Sequence, residues 1–286
     1  MDKNAIVCVA CHQTEHIFVA KAHHGKMMMR CRHCGLIFVV PQWTDSVAQN
    51  VFANYAGWPG GISGGAADRH GSMRAIAQQI ITQKPNGGRL LDVGCANGTF
   101  FEVMRQGSQP PTAWQFYGAE PDPKWQGLAY PDVKITPQSL RQCHFPNDFF
   151  DVVTILDALY YLPEPDKELA EIARILKPDG LFVFDVPGQV YLRLRGNIGQ
   201  LLGLSRTRPF TTYPFYFSSQ SLNLLLNQAG LEIIEVAVGR GARQPEPLVR
   251  HLVSAYINLA KMLSKFFHNL PPLVSPMPVY NVRRKL

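Results

Sequence analysis

Three sets of residues in this chain have the types and spacing to do chemistry. The first lies in Gly88 to Thr99, G-R-L-L-D-V-G-C-A-N-G-T, where an apolar run carries Asp92 near its end and passes into a turn holding Gly94, Ala96 and Gly98. Glycines there let the backbone turn tightly and approach a ligand with no side chain between them. The amides that open a following helix then face the bound molecule, and Asp92 can accept hydrogen bonds from a cationic or amide-rich group. The stretch reads as a nucleoside-cofactor site. It does not meet the dinucleotide spacing G-x-G-x-x-G, which disfavours a nicotinamide cofactor. The second is Glu120, just after the apolar run Gln115 to Ala119. An acidic side chain at the end of a second strand, about 20 residues past the glycine turn, can take both hydroxyls of a ribose. The third is Cys8-x-x-Cys11 with Cys31-x-x-Cys34. Two thiolate pairs, each offered from a tight turn, complete a tetrahedral site and predict structural zinc rather than a redox or disulfide role. Four cysteines fill such a site and leave no open position for catalysis. His12, His16, His23, His24 and His33 crowd the same segment, so a histidine could stand in for one thiolate. Cys95 and Cys143 read as small, partly buried residues.

The elements that must position these groups follow from periodicity. Residues 41–65 carry Pro59, Gly60, Gly61, Gly64 and Gly65 and read as a connector, with Tyr55 and Trp58 either folding over a cofactor or filling a gap between domains. Ala66 to Thr82 has helical spacing. Arg89 to Val93 is a buried strand, followed by a helix from Thr99 to about Gln106. Val152 to Leu156 is another buried strand, and Asp157 follows it, where ligands meet the carboxyl ends of parallel strands. Pro165 starts a helix that Lys177-Pro178-Asp179-Gly180 stops, and Leu181 to Asp185 is the next strand. Residues 188–217 interrupt the alternation. Arg193, Arg195, Arg206 and Arg208 there could hold phosphate, and Tyr191, Tyr213 and Tyr216 could stack on a flat acceptor; a loop covering a partner is the other use. Ser218 caps a helix that Gly230 ends, Leu231 to Val238 is a strand, and Pro278 to Val282 returns antiparallel. The alternation predicts an α/β fold, a doubly wound, mainly parallel seven-stranded sheet with helices on both faces and a small N-terminal zinc ribbon.

Leu91-Asp92-Val93-Gly94-Cys95-Ala96-Asn97-Gly98 resembles the first motif, L-D-x-G-x-G-x-G, of the class I S-adenosylmethionine-dependent methyltransferases, with Ala96 as a departure. R-I-L-K-P-D-G-L from Arg174 and F-S-S-Q-S-L-N-L-L-L-N-Q-A-G-L from Phe217 are similar to later segments of that family, so the resemblance covers about residues 85–240. It implies S-adenosylmethionine as cofactor. Asp92 and the turn at Gly94, Ala96 and Gly98 would hold its methionine end, Glu120 the ribose, and Leu140, Leu156 and Asp157 the adenine side and rim. Many relatives carry Glu-His where this chain has Tyr160-Tyr161. Tyr161, with an ordinary pKa of about 10, is a poor base unless its surroundings depress that value; lining the acceptor pocket is the favoured role for it and Tyr160. The three divisions expected are 1–40, a zinc ribbon; 41–84, a connector and helix; and 85–286, the catalytic core with insertion 188–217 and an amphipathic helix over 247–268.

At 286 residues, 46% hydrophobic and 17% charged, the chain can bury a full core, and wholesale disorder is excluded. The net charge of +7 is uneven: +3 over residues 1–40, −5 over 41–187, +2 over 188–239 and +7 over 240–286. An acidic core is no track for nucleic acid, whereas basic ends could meet phosphates or an anionic membrane surface. No run is long enough to span a bilayer and none resembles a secretory leader, so a cytoplasmic place is expected. Leu248 to His268 sets Arg250, Lys261 and Lys265 opposite Leu252, Tyr256 and Leu259, a pattern for covering the chain's own sheet or for lying on the inner membrane surface. Zinc-ribbon methyltransferases of this kind resemble enzymes of glycan and polysaccharide synthesis, and the chain is short for the extra C-terminal domain of sugar C-methylating relatives. A sugar hydroxyl is therefore the expected acceptor, with RNA methylation or a non-catalytic, cofactor-binding scaffold as the alternatives.

Overall fold

Strands buried on both faces must be apolar throughout, and Leu90, Leu91 and Val93 of β4 (Gly88–Val93) meet that demand. The computed structural model describes residues 6–22, 26–41, 66–108, 113–122, 125, 132–201, 210, 213–239, 247–264 and 275–285. An N-terminal unit of three strands comes first: β1 (His16–Lys21), β2 (Met27–Cys31) and β3 (Ile37–Val40). Then follow α1 (Ala66–Gln83), β4, α2 (Thr99–Gly107), β5 (Trp114–Ala119), β6 (Val133–Thr136), β7 (Phe150–Ile155), α3 (Pro165–Ile175) and β8 (Leu176–Asp185). The chain ends with α4 (Gln189–Leu201), β9 (Phe215–Tyr216), α5 (Ser219–Gln228), β10 (Leu231–Ala237), α6 (Pro247–Ser264) and β11 (Val279–Arg284).

The larger sheet has the order β10-β11-β8-β7-β4-β5-β6, with β4 in its interior. β11 runs antiparallel to both β10 and β8 while the other pairings are parallel, so the sheet is mixed. On one face, Ile76 and Ile80 of α1 and Phe100, Phe101 and Met104 of α2 pack on Leu90, Phe116 and Val152. On the other, Leu169 and Ile172 of α3 and Leu222 and Leu225 of α5 pack on Leu91, Val153 and Phe182.

The sequence places a stop at Lys177 to Gly180, but β8 begins at Leu176 and includes those residues. Phe150 pairs with Leu176 and Val152 with Leu181, so residues 177–180 form a bulge within the strand. Asp151 supplies the physical reason: its carboxylate accepts from Lys177 Nζ at 2.6 Å and from the Arg89 amide at 2.8 Å, tying the bulge to the start of β4.

Residues 188–217, read from sequence as an insertion, contribute β9 to the N-terminal sheet, whose order is β1-β2-β3-β9. Tyr216 is therefore a core residue, 2% exposed beside Phe210, and not a platform for a ligand. In α6, Tyr256, Leu259 and Met262 are 37%, 50% and 53% exposed while Ala260 is buried, so these three apolar side chains are not covered by the described residues. Tyr55, Trp58, Arg206, Arg208 and residues 265–268 of the amphipathic stretch lie outside the described residues.

Candidate active site

Three parallel strands, β4, β5 and β7, end side by side, each delivering a polar group to the same edge. β4 ends at Val93 and the chain turns through Gly94 at φ 73° and Ala96 at φ 45°, with Gly98 at φ 72° as the N-cap of α2. Ala96 holds a left-handed conformation that favours glycine, and its amide explains how it is kept there: it donates to Glu120 Oε2 at 2.9 Å. The other carboxylate oxygen of Glu120 accepts from the Asp122 amide at 2.9 Å. Glu120 is thus fixed at both oxygens, each of which can accept more than one hydrogen bond.

Gly94, Ala96, Glu120, Leu140, Leu156, Asp157 and Tyr161 all line one cleft of about 870 Å³, mouth included, together with Asp122, Trp125, Ala158 and Glu168. Leu140 opens a short 3-10 turn, Leu140–Gln142, capped by Ser139. Asp92, Gly98 and Tyr160 are not part of the lining. Asp92 is buried behind it and accepts from Thr154 Oγ1 at 2.7 Å. Burial, followed by the nearby Glu120 and Asp185 carboxylates, raises its pKa to about 7 against the pull of the Thr154 hydrogen bond. Tyr160 is also buried, with its hydroxyl donating to Asp157 Oδ1 at 3.1 Å. Desolvation, then the charge of Asp157, pushes its pKa well above 10, so Tyr160 backs the cleft wall and cannot serve as a base near neutral pH.

Sequence reasoning passed over Thr154, Asp185 and Glu168. Asp185 carried a usable signal: like Asp92 and Glu120, it is an acid at the end of an apolar strand. Its Oδ1 accepts from the Asp157 amide at 2.6 Å, which holds Asp157 at φ 60°. Tyr213, read from sequence as able to stack on a flat acceptor, packs against Tyr160 and Tyr161 at ring distances of 4.7 and 5.6 Å.

A family model described as a methyltransferase domain matches residues 66–236. The chain belongs to the methyltransferase-domain family. Among curated relatives of this methyltransferase domain, a ubiquinone biosynthesis O-methyltransferase of Histophilus somni (strain 2336) is 29% identical over 140 residues, covering 43% of this chain and 59% of that protein. One of the same name from Saccharophagus degradans is 30% identical over 106 residues, covering 34% and 42%. The chain therefore spans about half the length of these curated relatives. Among solved structures, a Haloferax volcanii methyltransferase in complex with the Trm112 activator is 17% identical, with a TM-score of 0.51 over 82% of this chain and 98% of that one. A Listeria monocytogenes protein described as an S-adenosylmethionine dependent methyltransferase is 15% identical, with a TM-score of 0.51 over 76% and 99%. Both likenesses are of fold.

Away from the cleft, the sulfur atoms of Cys8, Cys11, Cys31 and Cys34 lie within 4.8 Å of one another. Cys8 Sγ is 3.5 Å from Cys34 Sγ, and Cys11 Sγ is 3.4 Å from Cys31 Sγ. The Cys34 thiol holds Cys8 ionised, its pKa lowered to about 5, while its own pKa is driven up by Cys8 and by burial. Four sulfurs so close cannot all carry charge without a cation among them, and a soft divalent metal fits this donor set.

Proposed function

We propose that the chain transfers a methyl group from S-adenosylmethionine to a hydroxyl oxygen of an acceptor seated against Tyr161. The cleft at the carboxyl ends of β4, β5 and β7, with Glu120 pinned by the Ala96 and Asp122 amides, is the observation that carries this reading within a methyltransferase domain. When bound, the cofactor supplies a methyl group on a sulfonium sulfur. Glu120 would accept from its ribose hydroxyls and Leu140 and Leu156 would flank its adenine, while Asp157 would form the rim beside Tyr161, all four lining the cleft. Since the leaving group is already activated, alignment of the acceptor oxygen provides much of the rate, and Asp157 can take the hydroxyl proton. Tyr161 is a wall, not a base.

The wall of Tyr161 and Leu162 favours an apolar hydroxylated ring, in keeping with the O-methyltransferase names of the relatives. A sugar acceptor is the second reading, supported by the exposed Arg193 and Arg195 of α4. RNA is disfavoured because, among the described residues, the charged side chains lining the cleft are carboxylates: Glu120, Asp122, Asp157 and Glu168. Methyl-labelled cofactor supplied to lipid extracts, nucleotide sugars with polysaccharide, and RNA tests this. Label is expected as a methyl ether in the apolar extract and retained with Tyr161→Phe; label in RNA that ribonuclease removes would sink the proposal.

Cys8, Cys11, Cys31 and Cys34 hold one zinc ion in this reading, and metal analysis of purified protein should return about one equivalent. α6 meets an anionic lipid surface. Its exposed Tyr256, Leu259 and Met262 stand beside Lys261, and Leu194 of α4 is 54% exposed, with Tyr191 of α4 6.0 Å from Tyr256. Among the described residues no helix is long and apolar enough to cross a membrane. Full-length protein should float with phosphatidylglycerol-containing vesicles, less so in high salt, and Met262→Glu should lower the bound fraction by roughly tenfold. Equal recovery with purely zwitterionic vesicles counts against it.

A further inference from the structure

The four-cysteine turns and the aromatic wall of the cleft are joined by one short piece of chain, residues 213–218. At one end Ser218 Oγ donates to the Cys34 carbonyl at 2.5 Å while its residue caps α5. Gln189 Nε2, at the start of α4, donates to the carbonyls of Gly35 at 2.9 Å and Tyr216 at 3.0 Å, clasping the cysteine turn to the segment. The middle is β9, which pairs Phe215 with Phe38 and Tyr216 with Ile37; the Val39 amide donates to the Pro214 carbonyl at 3.0 Å. The other end is Tyr213, whose ring packs on Tyr160 and Tyr161 and whose amide donates to Tyr216 Oη at 3.0 Å. Tyr160 in turn donates to Asp157, which lines the cleft.

We infer that the cysteine module is a positioning device for the acceptor side of the cleft: loaded with metal it anchors β9, and β9 holds Tyr213 against Tyr160 and Tyr161. This rests on the reading of the Tyr161 side as the acceptor site. The fit at the junction is close. Gly35 sits at φ 73°, and a Cβ there would stand 3.3 Å from Ser218 Oγ, so the turn and the segment are in contact with little slack. The carboxylate that anchors the cofactor is held differently, by the Ala96 and Asp122 amides, which are not links of this chain of contacts. Losing the metal should therefore loosen the acceptor wall while leaving cofactor affinity largely intact.

The test uses the zinc-loaded full chain, with zinc and S-adenosylhomocysteine as probes. Chelation should raise amide exchange over 213–218 by roughly tenfold or more and shrink the near-ultraviolet dichroism of the packed tyrosines, with both restored by added zinc. S-adenosylhomocysteine affinity by calorimetry should stay within about threefold. Gln189→Ala, which keeps all four cysteines, should retain zinc by metal analysis and show the same loosening over 213–218. Exchange confined to residues 8–40 on chelation overturns the inference. So does exchange spreading over the whole chain on chelation while 213–218 stay unchanged in Gln189→Ala. A zinc-loaded protein that fails to bind S-adenosylhomocysteine defeats the methyltransferase reading instead, since the exchange and dichroism signals need no cofactor.

Discussion

Glu120→Ala is expected to weaken S-adenosylhomocysteine binding by at least about a hundredfold, because in the proposed site it removes the charged carboxylate to which two ribose hydroxyls would donate. The same change leaves the Ala96 and Asp122 amides without the oxygens they now meet at 2.9 Å. Ala96 is held at φ 45° partly by that bond, so the turn should relax and the protein lose about 1–3 kcal/mol of stability as well. Glu120→Gln keeps one carbonyl oxygen but turns an amide donor toward a backbone donor, so its affinity should fall between the two. Calorimetry together with thermal melts separates the effects: unchanged affinity in Glu120→Ala would remove Glu120 from the cofactor site whatever its role in the fold.

The second large effect is a dependence on pH through Asp92. Its pKa is about 7 in the folded chain against an unfolded value near 3.8, raised chiefly by burial. Between those values the folded state binds a proton that the unfolded state does not. Its stabilising contribution is therefore fully present below about pH 4 and lost as pH rises through 7. The shift corresponds to on the order of 4 kcal/mol, or roughly 10 °C in midpoint, lost by the cofactor-free protein. Asp92→Asn should flatten this component, read as the wild-type minus variant difference in melting temperature from pH 5 to 8. A cationic group brought by the methionine end of the cofactor would favour ionised Asp92, so affinity in wild type should climb with pH through about 7 and the variant should bind more weakly with a flatter profile. Parallel melting curves for the two proteins would show that Asp92 does not titrate there.

Several features of the site were legible because they are local. Val93, the turn at Gly94 and the helix at Thr99 lie within one short stretch, where apolar runs, glycines and caps report directly on backbone conformation. The pairing of Cys8 and Cys11 with Cys31 and Cys34 is of the same kind, since the spacing dictates two turns. Even the place of Glu120 on the cleft follows from counting along the chain. Its second role, holding the amide of Ala96, does not, because that contact depends on how far β4 and β5 are offset.

What the sequence by itself determined, then, is the strand–helix alternation around β4, the glycine turn and the cysteine cluster, each encoded by period or spacing over a few neighbouring residues. Tertiary structure alone decided that Phe38 pairs with Phe215, that Tyr213 backs Tyr160 and Tyr161, that Lys177 is drawn into a bulge by Asp151, and that Leu259 and Met262 face outward. Pairings between distant segments are selected by which edges and faces remain uncovered once the sheet has formed. An amphipathic pattern shows that a helix has an apolar side, but what that side meets is set by the surface left over after the rest of the chain has packed.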